Sequence, residues 1–179
     1  AAPLEDETVS SLRAGDRVLI TGAVYTARDA AHRRMIEQMA EGKSPPFPLE
    51  GQVIYYVGPT PPKPGQVVGS AGPTTSGRVD AYTPVLLAAG LKGMIGKGYR
   101  SREVREAIVK HRAVYFAAVG GAGALIARCI RSSEIVAYED LGTEAVRRME
   151  VVDFPAVVIN DCYGNDWYEQ AQNLFRNRR

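Results

Sequence analysis

The stretch GMIGKGYRSREVREAIVKHRAVYFAAVGGAGALIARCI, residues 93–130, decides the fold class. Its two apolar runs, 93–95 and 113–119, have the length and composition of buried strands. Ser101 is a suitable N-cap for a helix that fills the interval between them. A second helix is predicted over 122–130. Strands that alternate with helices in this way predict an α/β or mixed layered domain.

The same signals predict further elements on both sides of that stretch. Short apolar runs bounded by glycine or proline are typical of strands, and segments that start at a capping residue are typical of helices. No long linker divides them, so we expect a single domain over residues 1–179. These predicted elements are strands over 17–24, 52–57, 67–68, 135–138 and 156–159, and helices over 29–39, 83–90 (with Thr83 as N-cap), 143–149 and 167–177.

Composition excludes several classes of protein. The 179 residues are 45% hydrophobic and 23% charged, which provides enough apolar surface for a folded core and excludes global disorder. The net charge of +2, with scattered basic residues, does not predict nucleic-acid binding. No apolar run reaches the roughly 18 residues of a membrane span, and the acidic start AAPLEDE does not resemble a signal peptide. Cys129 and Cys162 suggest neither a disulfide framework nor a zinc site, so a cytoplasmic location is expected.

The segment GPTTSGR, residues 72–78, combines two glycines, three hydroxyl side chains and an arginine. Its spacing imitates a phosphate-binding P-loop, but Arg78 replaces the lysine and Val79 replaces the magnesium-binding hydroxyl. The remaining groups are backbone N–H donors, hydroxyls and a guanidinium, which still suit an anion such as a carboxylate. The alternative is a tight turn that carries a solvated arginine.

Two further cations are candidates for ligand binding. Lys97 lies between two glycines at the end of a predicted strand, where its ammonium group can approach a ligand or simply face solvent. Arg28 follows the first predicted strand, so it can reach a ligand at the sheet edge or pair with Asp29. The spacing of Asp29 and His32 places both on one face of a helix, which makes a contact between them plausible.

Gly121-Ala122-Gly123 follows an apolar strand and opens a predicted helix, and Glu139 and Asp140 lie further on. This outline is similar to a dinucleotide-binding fingerprint. Ile126 stands in place of the third glycine. Close strand–helix packing is therefore favoured over dinucleotide binding.

Two segments resemble a known family. TGAVYTARDAAHRRM, residues 21–35, and GQVIYYVGPTPPKPGQVVGSAGPTTSGRVDAYTPVLLAAGLKGMIGKG, residues 51–98, are similar to the β subunit or C-terminal domain of class I, iron–sulfur fumarate hydratases. The same family contains the β subunit of L(+)-tartrate dehydratase. The resemblance extends from about residue 3 to the end. It implies a layered β/β/α swivelling domain and a hydro-lyase that interconverts S-malate and fumarate.

The resemblance also implies a partner and a cofactor. In this family a [4Fe–4S] cluster is held by three cysteines of the other subunit, and its open iron acts as a Lewis acid on the substrate. This chain would then be inactive alone and would assemble with a cluster-bearing α subunit around a small dicarboxylate. Arg28 and Arg78 match the family's substrate-binding arginines, Thr74 its proposed base and Lys97 its active-site lysine. Tyr99 departs from the asparagine that many members carry after the GKG segment.

The chemistry of the residues agrees with that implication. A four-carbon dianion needs at least two fixed cations, and Arg28, Arg78 and Lys97 would supply them if they meet at one place. Removal of a proton next to a carboxylate builds negative charge, which fixed cations stabilise most in the transition state. Thr74 needs a neighbouring cation to act as a base, so orienting the substrate is its alternative role. Other functions left open are a tartrate dehydratase subunit, a free-standing swivelling module without catalysis and a dinucleotide-binding enzyme.

Overall fold

One mixed sheet organises the computed structural model, which describes residues 1–176. Its six strands are β1 (Arg17–Thr26), β2 (Val53–Tyr55), β3 (Gly93–Gly96), β4 (Val114–Ala117), β5 (Ile130–Ala137) and β6 (Val146–Asn160). Their order is β1-β2-β3-β4-β6-β5, and β6 also pairs with β1, so the sheet closes on itself. Strands β1 to β4 run parallel, whereas β6 runs antiparallel to each of its neighbours. This architecture confirms the predicted mixed α/β single domain.

Helices fill most of the connections between the strands. Their bounds are α1 (Asp6–Ser11), α2 (Asp29–Ala40), α3 (Thr83–Ala88), α4 (Arg102–Lys110), α5 (Gly123–Ala127) and α6 (Trp167–Arg176), with 3-10 helices over Ser76–Val79 and Glu139–Glu144. In the described part of the chain, none of these helices has the length and apolar character that crossing a bilayer requires. The predicted end of the final helix at Asn177 lies outside the described residues.

Both faces of the parallel strands are buried, which explains their continuous apolar composition. Tyr55, Ile95 and Phe116 belong to the core cluster on one face, which β6 helps to close. Residues on the other face, such as Met94 and Tyr115, pack in a second cluster. Helices α2, α3 and α4 contribute their apolar side chains to that second cluster: Ala31, Met35, Leu86, Leu87, Val104, Ala107 and Ile108.

The carboxyl ends of the parallel strands lie at one edge. Thr26 of β1 pairs with Tyr55 of β2, Tyr55 pairs with Ile95 of β3, and Ile95 pairs with Phe116 of β4. The chain segments that follow these four strands therefore leave the sheet side by side. In parallel sheets this is the edge at which ligands commonly bind.

The predicted helix over 143–149 is wrong. A 3-10 helix ends at Glu144, and residues from Val146 onward belong to the 15-residue strand β6. The apolar spacing of Val146 and Met149 fits a helix locally, but β6 pairs with β1 along one edge and with β5 and β4 along the other. Backbone pairing on both edges outweighs a weak local preference. The predicted strand over 156–159 is the last part of this same strand.

Other boundaries also differ from the prediction. Helix α5 ends at Ala127 rather than near 130, because strand β5 begins at Ile130 and pairs with β6. Cys129 consequently lies after the helix, where it is partly buried and packs against a core cluster. Residues 67–68 form no strand, and helix α1 was not predicted.

Of the two predicted N-caps, Ser101 is confirmed and Thr83 is wrong. Ser101 is the N-cap of α4, and its hydroxyl accepts a hydrogen bond from the Val104 N–H at 3.3 Å. Thr83, by contrast, lies inside the first turn of α3, and Tyr82 occupies the cap position. The Thr83 hydroxyl instead donates to the carbonyl oxygen of Val79 at 2.9 Å.

Candidate active site

The loop of residues 72–78 is fixed to the end of strand β2. The backbone N–H of Thr74 and its hydroxyl both donate to the carbonyl oxygen of Tyr56, each at 2.8 Å. The Thr74 side chain is half-buried. Because its hydroxyl proton points at a carbonyl, the oxygen lone pairs of Thr74 remain available to accept a hydrogen bond.

The structure brings Lys97 and Thr74 together. Lys97 follows directly on strand β3, and its N–H donates to the Thr74 carbonyl oxygen at 3.2 Å. Its own carbonyl accepts from the Ser76 N–H at 2.9 Å. The loop thus pairs with the end of β3 as a short parallel bridge between Thr75 and Lys97. The exposed Lys97 side chain passes near Gly120, where an added Cβ would lie 3.8 Å from its Cδ.

Arg78 lies in the 3-10 turn that follows the loop, and its side chain is exposed. The next residue, Val79, anchors the turn in the core cluster that α2 also joins. Within residues 1–176, neither the Arg78 guanidinium nor the Lys97 ammonium forms a hydrogen bond or an ion pair. Arg78, at the end of the loop, and Lys97, at the end of β3, are therefore two cations without a partner among these residues. They lie on segments that pair with each other.

Arg28 lies at the same edge, as the N-cap residue of α2 just after β1. Its half-buried side chain lies over Gly58, where a Cβ would be 2.6 Å from a guanidinium nitrogen. The guanidinium is 3.8 Å from Oε1 of Glu144, and Oε2 of the same carboxylate accepts a hydrogen bond from the Ala30 N–H at 3.0 Å. Arg28 thus has Glu144 as its acidic neighbour, and not Asp29.

The expected contact between Asp29 and His32 is also replaced by another. The Nδ1 of His32 bonds to the Arg28 carbonyl oxygen at 2.8 Å. Since a carbonyl can only accept, this nitrogen carries the proton. The ring is fully buried, and its Nε2 has no partner among the described residues. Burial lowers the pKa of His32 to about 4, so the ring is neutral at pH 7.

Neither nucleotide-binding outline matches the structure. The N–H groups of Thr74, Ser76 and Arg78 donate to carbonyl oxygens within the protein, so these three are not available to a phosphate as they would be in a P-loop. Gly123 packs against another loop: a Cβ there would lie 2.3 Å from the Ser70 hydroxyl and 3.0 Å from the Gly72 nitrogen. Gly123 is therefore closely packed, but against a loop and not, as predicted, between a strand and its helix.

Sequence reasoning missed a buried ion pair beneath the loop. The Arg100 guanidinium bonds to the Asp80 carboxylate at 2.7 Å and to the Thr83 hydroxyl at 2.8 Å. Asp80 also accepts from the Ser101 N–H at 2.6 Å. Burial acts to lower the pKa of Arg100, but Tyr56 and Asp80 outweigh it and raise the pKa. This pair ties the loop to the start of α4, and no local sequence signal distinguishes it from exposed charges.

Tyr99, the departure from the family pattern, turns toward the last helix. Its ring lies 4.9 Å from the ring of Tyr168, and its hydroxyl accepts from Gln172 at 2.8 Å. Neither contact involves Lys97. A cleft of about 590 Å³ lies elsewhere, between residues 60–70 and α5, and none of the four predicted site residues lines it.

The fold and these residues define a mixed α/β domain with cationic side chains at the carboxyl edge of its parallel strands. The family model described as "Fumarase C-terminus" matches residues 2–171. The chain therefore belongs to the fumarase C-terminal family, which confirms the resemblance of residues 21–35 and 51–98.

Its relatives are of two lengths. "Fumarate hydratase class I, aerobic" of Escherichia coli (strain K12) is 40% identical over 158 residues, which are 87% of this chain and 29% of that protein. "Fumarate hydratase 2" of Leishmania major is 37% identical over 167 residues, 92% of this chain and 29% of that protein. "Putative L(+)-tartrate dehydratase subunit beta" of Methanocaldococcus jannaschii is 36% identical over 174 residues, 94% of this chain and 89% of that protein. The chain thus spans under a third of those two fumarate hydratases but most of the tartrate dehydratase subunit.

Proposed function

We propose that the chain is the β subunit of a two-subunit [4Fe–4S] hydro-lyase that interconverts fumarate and S-malate. The observation that carries this proposal is the pair of uncompensated cations, Lys97 and Arg78, held by the loop that bonds to the end of β3. Membership of the fumarase C-terminal family supports it. A dicarboxylate is the kind of ligand that such cations neutralise.

Each cation has a proposed role in the reaction. Arg78 and Arg28 would hold the substrate carboxylates, because a guanidinium offers paired donors to both carboxylate oxygens. Lys97 would face the charge that grows on a carboxylate as the neighbouring C–H proton leaves. Cations that are fixed beforehand lower the barrier because they need not reorganise during the reaction. The main-chain bonds of Lys97 to Thr74 and Ser76 fix the backbone from which its ammonium group would reach the substrate.

Thr74 is proposed to orient the substrate, with the role of base as the alternative. Its hydroxyl proton is directed at the Tyr56 carbonyl, which cannot take the proton away. A base at this position would need an alkoxide, which requires a close cation because a threonine hydroxyl is a weak acid. Accepting a hydrogen bond from the substrate hydroxyl or from Lys97 requires no such ionisation.

The iron–sulfur cluster is proposed to lie on a partner subunit. Among residues 1–176, no three or more His, Cys, Asp and Glu side chains come together in a group that could hold a metal ion. Cys129, just before β5, is partly exposed, whereas Cys162, just after β6, is buried. The described residues of this chain therefore do not fit a cluster. Assembly with a cluster-bearing α subunit, and inactivity without it, are part of the same proposal.

We also propose that the sheet and helices form the layered β/β/α swivelling arrangement of the family. The helix layer of α2, α3 and α4 on one face of the parallel strands supports this.

Co-expression with the cluster-bearing subunit tests the proposed function. The assembled complex, purified without oxygen, should convert S-malate to fumarate and back, and the isolated chain should not. Fumarate formation is followed by its ultraviolet absorbance. A complex that contains its cluster but leaves both substrates unchanged would contradict the proposal.

A second candidate is the β subunit of an L(+)-tartrate dehydratase. The observation that favours it is length, since this chain covers 89% of the subunit from Methanocaldococcus jannaschii. The same cations would serve, because tartrate differs from malate by one hydroxyl group. Assay of the complex on malate and on L(+)-tartrate distinguishes the two, since the physiological substrate should give the higher kcat/KM. Failure of any cluster-bearing subunit to co-purify would favour the free-standing module.

A further inference from the structure

We infer that Tyr115 is a positioning residue that sets Lys97 relative to Thr74, an inference that rests on the proposed function of this site. Tyr115 lies on β4, next to strand β3, and Lys97 directly follows β3. It is fully buried and does not reach the exposed edge, so it cannot itself touch a substrate.

The Tyr115 hydroxyl makes two hydrogen bonds, each of 2.9 Å, to Ser76 and to Gly98. Its bond to Gly98 ends on a carbonyl oxygen, which can only accept, so the phenol proton is directed there. The Ser76 hydroxyl must then donate to the phenol oxygen. One hydroxyl group thus joins the loop that carries Thr74 to the chain just after Lys97.

The fit at this junction leaves no room for movement. The Ser76 side chain is fully buried, and its hydroxyl lies where a side chain on Gly96 would begin. An added Cβ on Gly96 would lie only 2.0 Å from that hydroxyl oxygen and 2.8 Å from the ring of Tyr56. The close approach of loop and strand therefore depends on a glycine here.

Lys97 is consequently held on both sides. Its own N–H and carbonyl bond to the loop at Thr74 and Ser76, and the carbonyl of Gly98 bonds to Tyr115. Gly98 has a φ of 84°, a conformation that the tyrosine bond helps to fix. Gly98 also bonds through its main chain to the Tyr168 hydroxyl, so Tyr115 is one of two tyrosines that hold the chain after Lys97. A lysine displaced by about an ångström can lose much of its catalytic effect.

Replacement of Tyr115 by phenylalanine isolates this role, because the ring keeps its packing. The Arg100 guanidinium lies 4.9 Å from the ring centroid and would still cover it. Only the hydroxyl and its two bonds are removed. Tyr163→Phe is the matched control, since its hydroxyl also donates to a carbonyl oxygen at 2.9 Å, but at Ser10, outside the site.

In the assembled complex, we expect Tyr115→Phe to lower kcat for malate dehydration about 10- to 100-fold while KM changes less than about threefold. Tyr163→Phe should leave both constants near those of the wild type. Thermal unfolding by circular dichroism must show both variants folded at the assay temperature. A kcat for folded Tyr115→Phe within about threefold of wild type would overturn the inference.

The variant Ser76→Ala tests the bridge from its other end. It should lower kcat by a smaller factor, because the bond from Tyr115 to Gly98 survives. Combined with Tyr115→Phe it should add less than about twofold, since both changes break one connection. Losses that simply multiply would show that the two hydroxyls act separately and would also contradict the inference. If the wild-type complex is itself inactive on malate, the proposed function fails, and not the positioning role.

Discussion

Two polar, glycine-containing segments that look alike in the sequence differ in how their charges are paired. In the turn of residues 161–166, the buried Asp161 carboxylate accepts hydrogen bonds from Ala14, Tyr163 and Asn165. In the loop of residues 72–78, the backbone N–H groups of Thr74, Ser76 and Arg78 are bonded but the Arg78 guanidinium, among the described residues, is not.

The difference separates structural polarity from polarity that is available to a ligand. The bonds to Asp161 outweigh its burial and lower its pKa, so this carboxylate stays charged while it holds the turn together. The loop uses its backbone for the same purpose and leaves its one cation, Arg78, exposed. A fully bonded charge stabilises a fold, whereas an unbonded, fixed charge is free to bind.

The largest effect should come from the unpaired cations. Arg78→Ala or Lys97→Ala, in the assembled complex, should lower kcat/KM at least about 100-fold, the loss expected for one transition-state donor. Unfolding temperature should hardly change, since neither side chain has a partner within residues 1–176. Arg102→Ala removes an equally exposed cation that pairs with Glu106, and it should leave kcat/KM unchanged. A two- or threefold loss would remove the tested residue from the site.

The opposite behaviour is expected in the turn. Asp161→Ala should lower the free energy of unfolding by about 2 kcal/mol, because buried donors lose a charged acceptor. The specific activity of the folded protein should be unaffected. Urea denaturation measures the stability, and Asp140→Ala serves as a control because its ion pair with Arg34 is exposed. Equal losses of stability in both variants would break the distinction between the two regions.

His32, whose ring bonds to the Arg28 carbonyl, should make the stability of the protein depend on pH. Its pKa is lowered to about 4 by burial, whereas an unfolded histidine titrates near its ordinary value of 6.5. The unfolded chain therefore binds a proton at higher pH than the folded chain does. The free energy of unfolding has its full value above pH 6.5 and decreases as the pH falls toward 4. Between pH 7 and 5 the loss should be about 2 kcal/mol.

The variant His32→Asn should flatten that pH dependence. His111→Asn removes the chain's other histidine, which lies near the surface, and it should leave the curve nearly intact. Urea denaturation at several pH values measures both. An unchanged curve in His32→Asn would mean that His32 titrates as an exposed group.

The smallest effect concerns the one site cation that has an acidic neighbour. Glu144→Gln keeps an oxygen for the Ala30 N–H but removes the negative charge near Arg28. We expect KM for malate to fall about threefold, the size of a partly exposed ion pair, because the substrate carboxylate no longer competes with Glu144. A rise in KM would show instead that Glu144 holds Arg28 in place.

Local signals predicted the parts of the fold that depend on neighbours in the chain. Ser101 caps α4 because a side-chain oxygen can reach an N–H three residues away, and that requirement is visible in the sequence. The strand β6 was misassigned over 143–149 because its pairing partners lie on β1 and β5, far away in the chain. The strand predicted over residues 67–68 does not form for a related reason, because this apolar pair has no strand beside it to pair with.

The sequence by itself determined that the protein is an α/β domain, that it belongs to its family, and that Arg28, Thr74, Arg78 and Lys97 are its candidate site residues. The fold class follows from composition and periodicity, whereas the family and the roles of these residues follow from the resemblance of sequence motifs; all of these are properties of contiguous residues. Only the tertiary structure decided which charges are paired and which are free, because pairing depends on distances between residues that the chain brings together from afar. The buried bond of Arg100 with Asp80 and the bridge at Tyr115 are of this second kind.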